Sequence, residues 1–362
     1  FLWLGTNGEL TDTLSFELAA VDKTKFIYQW YKHDPKTLLS TAIAGATSDT
    51  LFFNDSKRVS YGITDEGKVY QFYCVVVGGS QYGISDTARV VYGTGARLAN
   101  GGWIKVANAN LGAKQDLSLD DQIDYKPSAE TSTVGDKAYD PTVYGDWYEW
   151  GREKDGHQER RVLASGTVNI YLDAAGGVET SKLNDEDGQI KSSETTLYGK
   201  FIQRNVGMND WRQYPEKDGN FASAPANAWT WGNPVKGITD LDPCKSDPEL
   251  GSNWRVPTQA EWAQIASNNT WIWHDGGANG TSGYQLRPGG TNKPTSLFLP
   301  AAGCRTRNGG VQIYVGYLGY YWSSAVTGPN SYSLYYTSGS INVAYTNHRT
   351  SGLAVRCVSE YD

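Results

Sequence analysis

Hydrophobic and polar residues alternate along the first quarter of the chain. In the first such segment, Leu14, Phe16 and Leu18 share one face. A period of two is typical of a strand with one buried face, and no helical period of useful length competes with it here. The pattern therefore predicts strands at 14–18, 26–32, 50–53, 70–77 and 87–92.

A different pattern marks one helix in the remainder of the chain. Thr258, followed three residues later by Glu261, forms a Thr-x-x-Glu capping box. Trp262 and Ile265 lie three positions apart on one face of the segment that follows. The stretches around these elements are rich in Gly, Asn and Thr and predict long irregular loops. We expect the helix over about 259–267 and further strands at 332–336, 341–345 and 353–357.

The length and composition of the chain indicate two β-rich domains. A chain of 362 residues is long for one compact domain. The content of 13 Trp and 24 Tyr beside 41 Gly is typical of β-rich chains with many turns. A polar, glycine-bearing stretch at 95–102 is typical of a linker. We therefore predict domains at 1–94 and 103–362, joined by this linker.

The net charge and the hydropathy of the chain exclude several partners. A formal charge of -7 disfavours nucleic acid and anionic membranes, because both require basic patches. No apolar run reaches about 18 residues, so no transmembrane segment is predicted. We identify no signal peptide in this sequence, and because its first residues resemble the interior of a longer chain, we expect that a targeting or anchor segment was trimmed away.

The cysteines do not form a metal-binding pattern. Cys74, Cys244, Cys304 and Cys357 contain no CxxC pair. Three of them fall in the second half of the chain, which predicts one disulfide and one spare thiol there. The spacing leaves the pairing open.

The first domain resembles the immunoglobulin-like modules of bacterial surface proteins. Segment 28–32 is similar to the third strand of that fold with its core Trp, and 73–76 to the sixth. The partner position on the second strand holds Phe16 or Leu18, so the usual inter-sheet disulfide is not expected. Phe72, two positions before the cysteine, replaces the tyrosine of the usual tyrosine corner. Cys74 is then expected to be a buried, inert thiol, in a module that acts as a spacer or docking platform.

The second domain resembles the Fibrobacter succinogenes major paralogous domain family. WRVPTQAEW at 254–262 looks like the signature helix of that family. It is also similar to the helix start of formylglycine-generating (sulfatase-modifying) enzymes, which share a variant of the C-type lectin fold. Further matches follow in the expected order: YGDWYEWGR at 144–152, DPC at 242–244, LPAAG at 299–303, GYYWSS at 319–324 and GLAVRCV at 352–358.

These resemblances imply a fold and a location rather than an activity. The implied fold class is an all-β immunoglobulin-like sandwich followed by an α+β C-type-lectin-like domain. The paralogous family occurs on secreted or surface proteins, including lipoproteins, of Bacteroidetes-type bacteria, so we expect an extracellular or outer-membrane location. The resemblance also implies a structural disulfide between Cys244 and Cys357, worth about 4.7 kcal/mol for a loop of roughly 100 residues.

Three kinds of chemistry are disfavoured by the residues present. Sulfatase modification depends on two nearby reactive cysteines and copper, and the implied disulfide leaves Cys304 alone. An EF-hand count through 185–194 places Leu183, which cannot ligate, at position 1, and the calcium-binding sugar motifs of lectins are absent. The histidines are scattered and no Gly-x-Ser-x-Gly elbow occurs. We therefore predict no catalytic residue, no metal and no cofactor.

Aromatic loops provide the candidate ligand sites. Flat rings flanked by polar side chains suit stacking against sugars, although such rings can equally hold loops together. We expect non-catalytic recognition of a glycan or surface protein, as in an adhesin or pilus-tip component. The alternative is a structural surface or pilus-associated protein, and an oxidase or hydrolase of the same fold is a weaker third. The candidates are Trp271, Trp273, His274, Asp275, Tyr284 and Arg287 in a predicted loop at 268–294, and Tyr314, Tyr317, Tyr320 and Tyr321 in a second surface. Trp254 and Trp322 are assigned to the core.

Overall fold

The protein is mostly β, with several largely antiparallel sheets and few helices. Two of the strand pairs are parallel. In the part of the chain that the structure describes, no helix is long and apolar enough to cross a bilayer. The computed structural model describes residues 2–4, 12–15, 25–65, 68–79, 81–126, 140–160, 170–173, 178–184, 189–204, 210–211, 242–276, 280–288, 290–291, 295–328 and 330–359.

The first part of the chain forms two sheets and one short helix. Its elements are β1 (Leu2–Leu4), β2 (Asp12–Ser15), β3 (Ile27–His33), β4 (Ser40–Ala42), β5 (Thr50–Phe53), α1 (Asp55–Ser60), β6 (Val69–Gly78), β7 (Gln81–Ile84) and β8 (Ala88–Tyr92). One sheet has the order β1-β8-β6-β3-β4, with β7 also paired to β6, and the other contains β2 and β5. Helix α1 was not predicted, because its only local signal is the side chain of Asn54, which accepts a hydrogen bond from the Lys57 amide at 2.8 Å.

The period-two pattern buries one face of this sheet as predicted. Along β6, Tyr70, Phe72, Cys74 and Val76 are buried while their neighbours are more exposed. Burial raises the pKa of the Cys74 thiol to about 11, so it stays protonated at neutral pH. The expected positions Phe16 and Leu18 lie outside the described residues.

A tyrosine of this sheet holds the segment before β6. Tyr70 lies on the same buried face as Phe72, two residues earlier. Its hydroxyl oxygen accepts hydrogen bonds from the backbone amides of Thr64 at 3.1 Å and Asp65 at 2.8 Å. These bonds fix residues 64–65 against the sheet.

The remainder of the chain is built from short strands and three helices among the described residues. The strands are β9 (Gly95–Arg97), β10 (Trp103–Val106), β11 (Tyr148–Glu149), β12 (Ile170–Asp173), β13 (Phe201–Arg204), β14 (Trp254–Arg255), β15 (Thr270–His274), β16 (Gly283–Arg287), β17 (Leu297–Pro300), β18 (Cys304–Arg305), β19 (Gln312–Ile313), β20 (Gly319–Thr327), β21 (Asn330–Thr337), β22 (Ser340–His348), β23 (Gly352–Leu353) and β24 (Val358–Ser359). The helices are α2 (Leu119–Asp124), α3 (Pro141–Tyr144) and α4 (Gln259–Asn268).

These strands form several small sheets rather than one large one. Their orders are β14-β24-β10-β9, β11-β23-β18-β19, β15-β16-β17 and β20-β21-β22, beside the pair β12-β13. The predicted helix is confirmed as α4, with both hydrogen bonds of its Thr258–Glu261 capping box. Trp262 and Ile265 of α4 are buried in the main core, and α4 contacts β9, β20, β21 and β22.

Segment 95–102 differs from the predicted linker. Its first residues form β9, which pairs with β10, and Ala96 is fully buried in the main core. Gly95 also exchanges hydrogen bonds with Ser296, whose hydroxyl donates to the Gly95 carbonyl at 2.8 Å. Composition could not indicate this, because glycine and alanine occur both in linkers and where backbones approach closely.

The last predicted strand, 353–357, is wrong except at its first residue, and a separate strand begins directly after it. Leu353 belongs to β23 and Val358 to β24, and these two strands lie in different sheets. Between them the chain crosses from one sheet to the other, with the Val355 and Cys357 carbonyls accepting hydrogen bonds from the amides of Leu111 and Ala107. Residues 351–359 are all buried, so the crossing runs through the core.

Fully buried arginine side chains connect the loops of this part of the chain. The Arg356 guanidinium donates to the carbonyl oxygens of Ala107, Asn108 and Phe298, each at 2.8 Å. A buried carbonyl without a donor is destabilising, and the five N–H groups of arginine can satisfy several at once. Other fully buried arginines also donate to loop carbonyls: Arg152, Arg160, Arg305 and Arg349.

Several of these guanidinium groups lie over indole rings. Stacking on an aromatic face stabilises a guanidinium that burial has removed from water. Three of the tryptophans therefore stabilise buried arginines inside the protein. The pairs, with the distance from guanidinium carbon to ring centroid, are Arg160 on Trp147 (3.4 Å), Arg349 on Trp150 (4.8 Å) and Arg152 on Trp211 (5.5 Å).

A disulfide joins Cys244 to Cys357, the pair that the family resemblance implied. The two residues are 113 positions apart, and both are fully buried. Cys74 and Cys304 are free thiols in separate hydrophobic clusters. The bond ties the last strands to the segment that precedes α4.

Replacing Cys244 and Cys357 together by alanine should lower the free energy of unfolding by about 4 kcal/mol, because the unfolded chain regains the entropy of an open loop. Chemical denaturation with and without reductant measures this. Reductant should lower the wild-type midpoint and leave the double variant unchanged. Cys304→Ala, which removes a free thiol, should still respond to reductant. Equal midpoints of wild type and double variant in oxidising buffer would contradict the structural role.

Candidate ligand-binding site

The predicted loop at 268–294 contains a β-hairpin rather than only irregular chain. Trp271 pairs with Leu286, and Trp273 with Tyr284, across β15 and β16. Residues directly opposite in an antiparallel pair share a face, so the two tryptophans and Tyr284 lie on the same side of the hairpin. That side faces the main core, where Tyr284 is buried and both tryptophans are half-buried.

The rings of this hairpin are in contact with one another. Tyr284 makes edge-to-face contacts with Trp271 at 5.4 Å, with Trp273 at 5.3 Å and with Tyr336 of β21 at 5.1 Å between ring centroids. The Tyr336 hydroxyl donates to the Leu299 carbonyl at 2.7 Å. These contacts stabilise the hairpin on the core.

The polar candidates of the hairpin lie apart from its rings. His274 and Arg287 pair with Gly283 and Thr270, so strand alternation directs Arg287 to the face opposite Tyr284. The Arg287 guanidinium donates to the Gln285 side chain at 2.9 Å, and Asp275 is exposed just after β15. The structure therefore does not bring the six predicted residues to one surface. Sequence reasoning missed this because it treated the segment as a loop without alternating faces.

Of the second predicted surface, Tyr320 lies on the same face of the sheet β20-β21-β22 as two tyrosines that were not predicted, Tyr335 and Tyr345. Ring centroids of Tyr320 and Tyr335 are 5.0 Å apart, and Tyr345 of β22 stacks on Tyr335 at 4.6 Å. Tyr314 and Tyr317 stand on the turn before β20, where the Tyr317 amide donates to the Tyr314 carbonyl at 3.0 Å. We call these five residues the tyrosine surface.

The tyrosine surface combines buried and exposed rings. Tyr320 is buried, while Tyr314 is 51% and Tyr317 74% exposed. Burial, with smaller contributions from Cys304 and the neighbouring tyrosines, raises the pKa of Tyr320 well above its usual range. That hydroxyl is therefore neutral at physiological pH. The accessible ring faces and phenolic hydroxyl groups of this surface are those of Tyr314 and Tyr317 on the turn, whereas Tyr320, Tyr335 and Tyr345 lie in paired strands.

Tyr321 does not belong to this surface. It follows Tyr320 on β20 and points to the opposite side, where it is fully buried. Its hydroxyl donates to the Pro300 carbonyl at 2.5 Å, and its ring stacks with Tyr336 at 6.1 Å. Trp322 is fully buried, as predicted, whereas Trp254 is only half-buried.

A cluster of ionisable groups that sequence reasoning did not identify lies in the interior. Arg152 forms ion pairs with Glu149 at 2.5 Å and with Asp155 at 2.6 Å. Asp155 also contacts the His157 ring at 2.6 Å, and these side chains are 0–2% exposed. The only available signal was segment 144–152, which carries charged residues among aromatic ones.

Burial and pairing shift the pKa values in this cluster. Burial raises the pKa of Glu149 to about 8 against the opposing effect of Arg152. Burial alone would also raise the pKa of Asp155, but His157 and Arg152 lower it below its usual range. Burial, assisted by Arg152, lowers the pKa of His157 to about 4. The cluster is closed to solvent, so its groups serve the fold rather than an external ligand.

The described part of the chain was compared with the metal and thiol sites considered from the sequence. No three His, Cys, Asp or Glu side chains there are arranged to hold a metal ion. Segment 185–188 of the EF-hand count lies outside the described residues, and Glu194 is paired with Lys182 at 3.2 Å. Cys304 lies apart from the other free thiol, and burial raises its pKa to about 12.

Neither a family model, nor a curated protein, nor a solved structure matches this chain. Its function must therefore be inferred from the contacts themselves. Of the predicted sites, the tyrosine surface has the accessible rings, whereas the hairpin rings are committed to packing.

Trp273→Ala should lower the free energy of unfolding by about 2 kcal/mol, because a half-buried indole loses its contacts with Tyr284 and Tyr336. Tyr317→Ala is the control: its exposed ring should change stability by less than about 0.5 kcal/mol. Urea denaturation of both variants tests this. A Trp273→Ala midpoint equal to that of the wild type would show that the ring is not part of the packing.

Acid should destabilise the protein partly through His157. Its pKa is about 4 in the folded state and 6.5 in the ordinary state, so between these values the unfolded chain binds a proton that the folded chain rejects. Stability is therefore lost as pH falls through this window. In His157→Gln, the loss between pH 7 and pH 4.5 should be smaller than in the wild type by about 2 kcal/mol. Parallel pH profiles of unfolding free energy would refute the assignment.

Proposed function

We propose that the protein is a non-catalytic recognition protein of a bacterial cell surface, which binds glycan through the tyrosine surface. We further propose that an immunoglobulin-like domain precedes a C-type-lectin-like domain of the Fibrobacter succinogenes paralogous type. The mostly β architecture is compatible with both assignments.

Contacts in each part of the chain support this architecture. In the first part, Trp30 of β3 is paired with Cys74 of β6, and both side chains are buried. In the second, segment 144–152 is buried throughout and the capping box before α4 is complete. Many of the residues that carry the family resemblance therefore lie in the core.

The exposed rings of Tyr314 and Tyr317 carry the proposal of glycan binding. A sugar ring presents C–H groups on its faces and hydroxyl groups at its edge, so it pairs well with flat, amphipathic side chains. Tyrosine supplies such contact area at low conformational cost. Because Tyr320, Tyr335 and Tyr345 support one another in paired strands, this part of the surface is ordered before a ligand arrives.

The disulfide supports an extracytoplasmic location. Disulfides persist in oxidising compartments and are rare in reducing ones. The Cys244–Cys357 bond is fully buried and connects distant parts of the chain, which is typical of a structural bond.

A glycan-array screen of the full chain tests the proposal. We expect selective binding by the wild type and at least a tenfold loss of affinity in Tyr314→Ala/Tyr317→Ala, since stacking contacts are removed without a buried cavity. Tyr82→Ala is the matched control, because Tyr82 is 76% exposed on β7, outside the tyrosine surface. Parallel arrays with calcium and with chelator should agree.

Two results would oppose this function. Binding that persists in the Tyr314→Ala/Tyr317→Ala variant would assign the glycan to another surface. If the wild type binds no glycan on the array, this result would favour the alternative of a structural or pilus-associated protein.

One observation favours that alternative. Ile27, Val77 and Tyr82 lie opposite one another across β3, β6 and β7, and they are 70%, 39% and 76% exposed. A contiguous apolar row of this kind is typical of contact between proteins. In a structural protein, this row would contact a neighbouring subunit.

A further inference from the structure

A cleft of about 390 Å³ lies beside the sheet β14-β24-β10-β9. Its volume falls within the usual range of small-molecule sites. One wall is the half-buried ring of Trp254, and the other walls are mostly polar. The remaining lining residues are Thr94, Lys105, Ala107, Asn108, Gln115, Asp116, Leu117, Ser118 and Leu250.

The sheet fixes the floor of the cleft. Trp254 and Lys105 both pair with Ser359, one from each side of β24. Residues opposite one another share a face, so Trp254 and Lys105 rise from the same side of the sheet. The Lys105 ammonium lies 5.5 Å from the centroid of the Trp254 ring.

Hydrogen bonds hold the facing wall. The Asn108 amide group donates to the carbonyls of Gln115 at 3.1 Å and Leu117 at 2.5 Å. The Gln115 amide group donates to the Asn110 carbonyl at 2.9 Å. The Arg356 guanidinium donates a hydrogen bond to the Asn108 carbonyl oxygen. Both amide nitrogens are thus committed to the backbone, while the side-chain oxygens of Asn108 and Gln115 remain as acceptors at the cleft.

The polar groups of the cleft suit a neutral, hydroxyl-bearing ligand. Asn108 and Gln115 supply acceptor oxygens, and Ser118 lies beside them. Lys105 and the exposed carboxylate of Asp116, which also lies 3.5 Å from the Lys114 ammonium, have opposite charges, so the lining has no net charge to attract an ion. The Trp254 ring adds one flat apolar surface.

We infer that this cleft is a second binding site, for a single neutral sugar unit. The sugar would place one face against Trp254, beside the Lys105 ammonium that lies over this ring, and its hydroxyl groups against Asp116, Asn108 and Gln115. The cleft shares no lining residue with the tyrosine surface, so this inference is independent of the glycan site proposed above.

Saturation-transfer NMR with the full chain tests the inference. The probes are glucose, galactose, mannose and N-acetylglucosamine, each titrated to about 50 mM, since single-sugar sites commonly have millimolar affinity. We expect at least one sugar to receive saturation from the wild type. Trp254→Leu should abolish the signal, and Asp116→Ala should weaken affinity at least tenfold.

Matched variants distinguish this site from other surfaces. Asp120→Ala removes an exposed carboxylate of α2 that does not line the cleft, and it should bind as the wild type does. Tyr314→Ala/Tyr317→Ala should also retain the signal, which separates the cleft from the tyrosine surface. Asp116 is exposed, so its substitution keeps the test valid if Trp254→Leu fails to fold. Absence of any signal from the wild type, or unchanged affinity in Asp116→Ala, would overturn the inference.

Discussion

Loops of the larger part of the chain are buried, and their carbonyl oxygens therefore need donors inside the protein. Arginine supplies them. Arg356 serves the carbonyls of the adjacent residues Ala107 and Asn108 and that of the distant Phe298, and Arg160 donates to the carbonyls of Gly145 and Ala302. A buried guanidinium itself loses hydration, and the indole rings above these groups reduce that cost. The arginines and the tryptophans are thus two parts of one constraint.

This constraint explains why aromatic content alone is a poor guide to ligand sites. Trp147, Trp150 and Trp211 are fully buried beneath or beside arginines. The hairpin tryptophans pack on Tyr284 and Tyr336. The rings that remain accessible are few among the described residues, and they include Tyr314 and Tyr317. Our functional proposal depends on these exposed rings rather than on the abundance of aromatic residues.

Local patterns predicted local structure well. The capping box at Thr258 identified α4, and the period-two pattern identified β3, β5, β6 and β8, because these signals depend on near neighbours. Contacts over long distances were not readable: Arg305 meets the carbonyl of His157, 148 residues away. For the same reason the cleft at Trp254 was missed, since its walls come from segments that only the folded sheet brings together. The two faces of the hairpin at 270–287 could be separated only once its strand pairing was known.

A crystal structure of the full chain with an oligosaccharide tests the central claim most directly: that the interior rings hold the loops while exposed tyrosines recognise the ligand. The account predicts a sugar ring against Tyr314 or Tyr317, with the stacked pair of Arg160 and Trp147 unchanged. A sugar bound to the rings of Trp271 and Trp273, after displacement of Tyr284 or Tyr336, would contradict it.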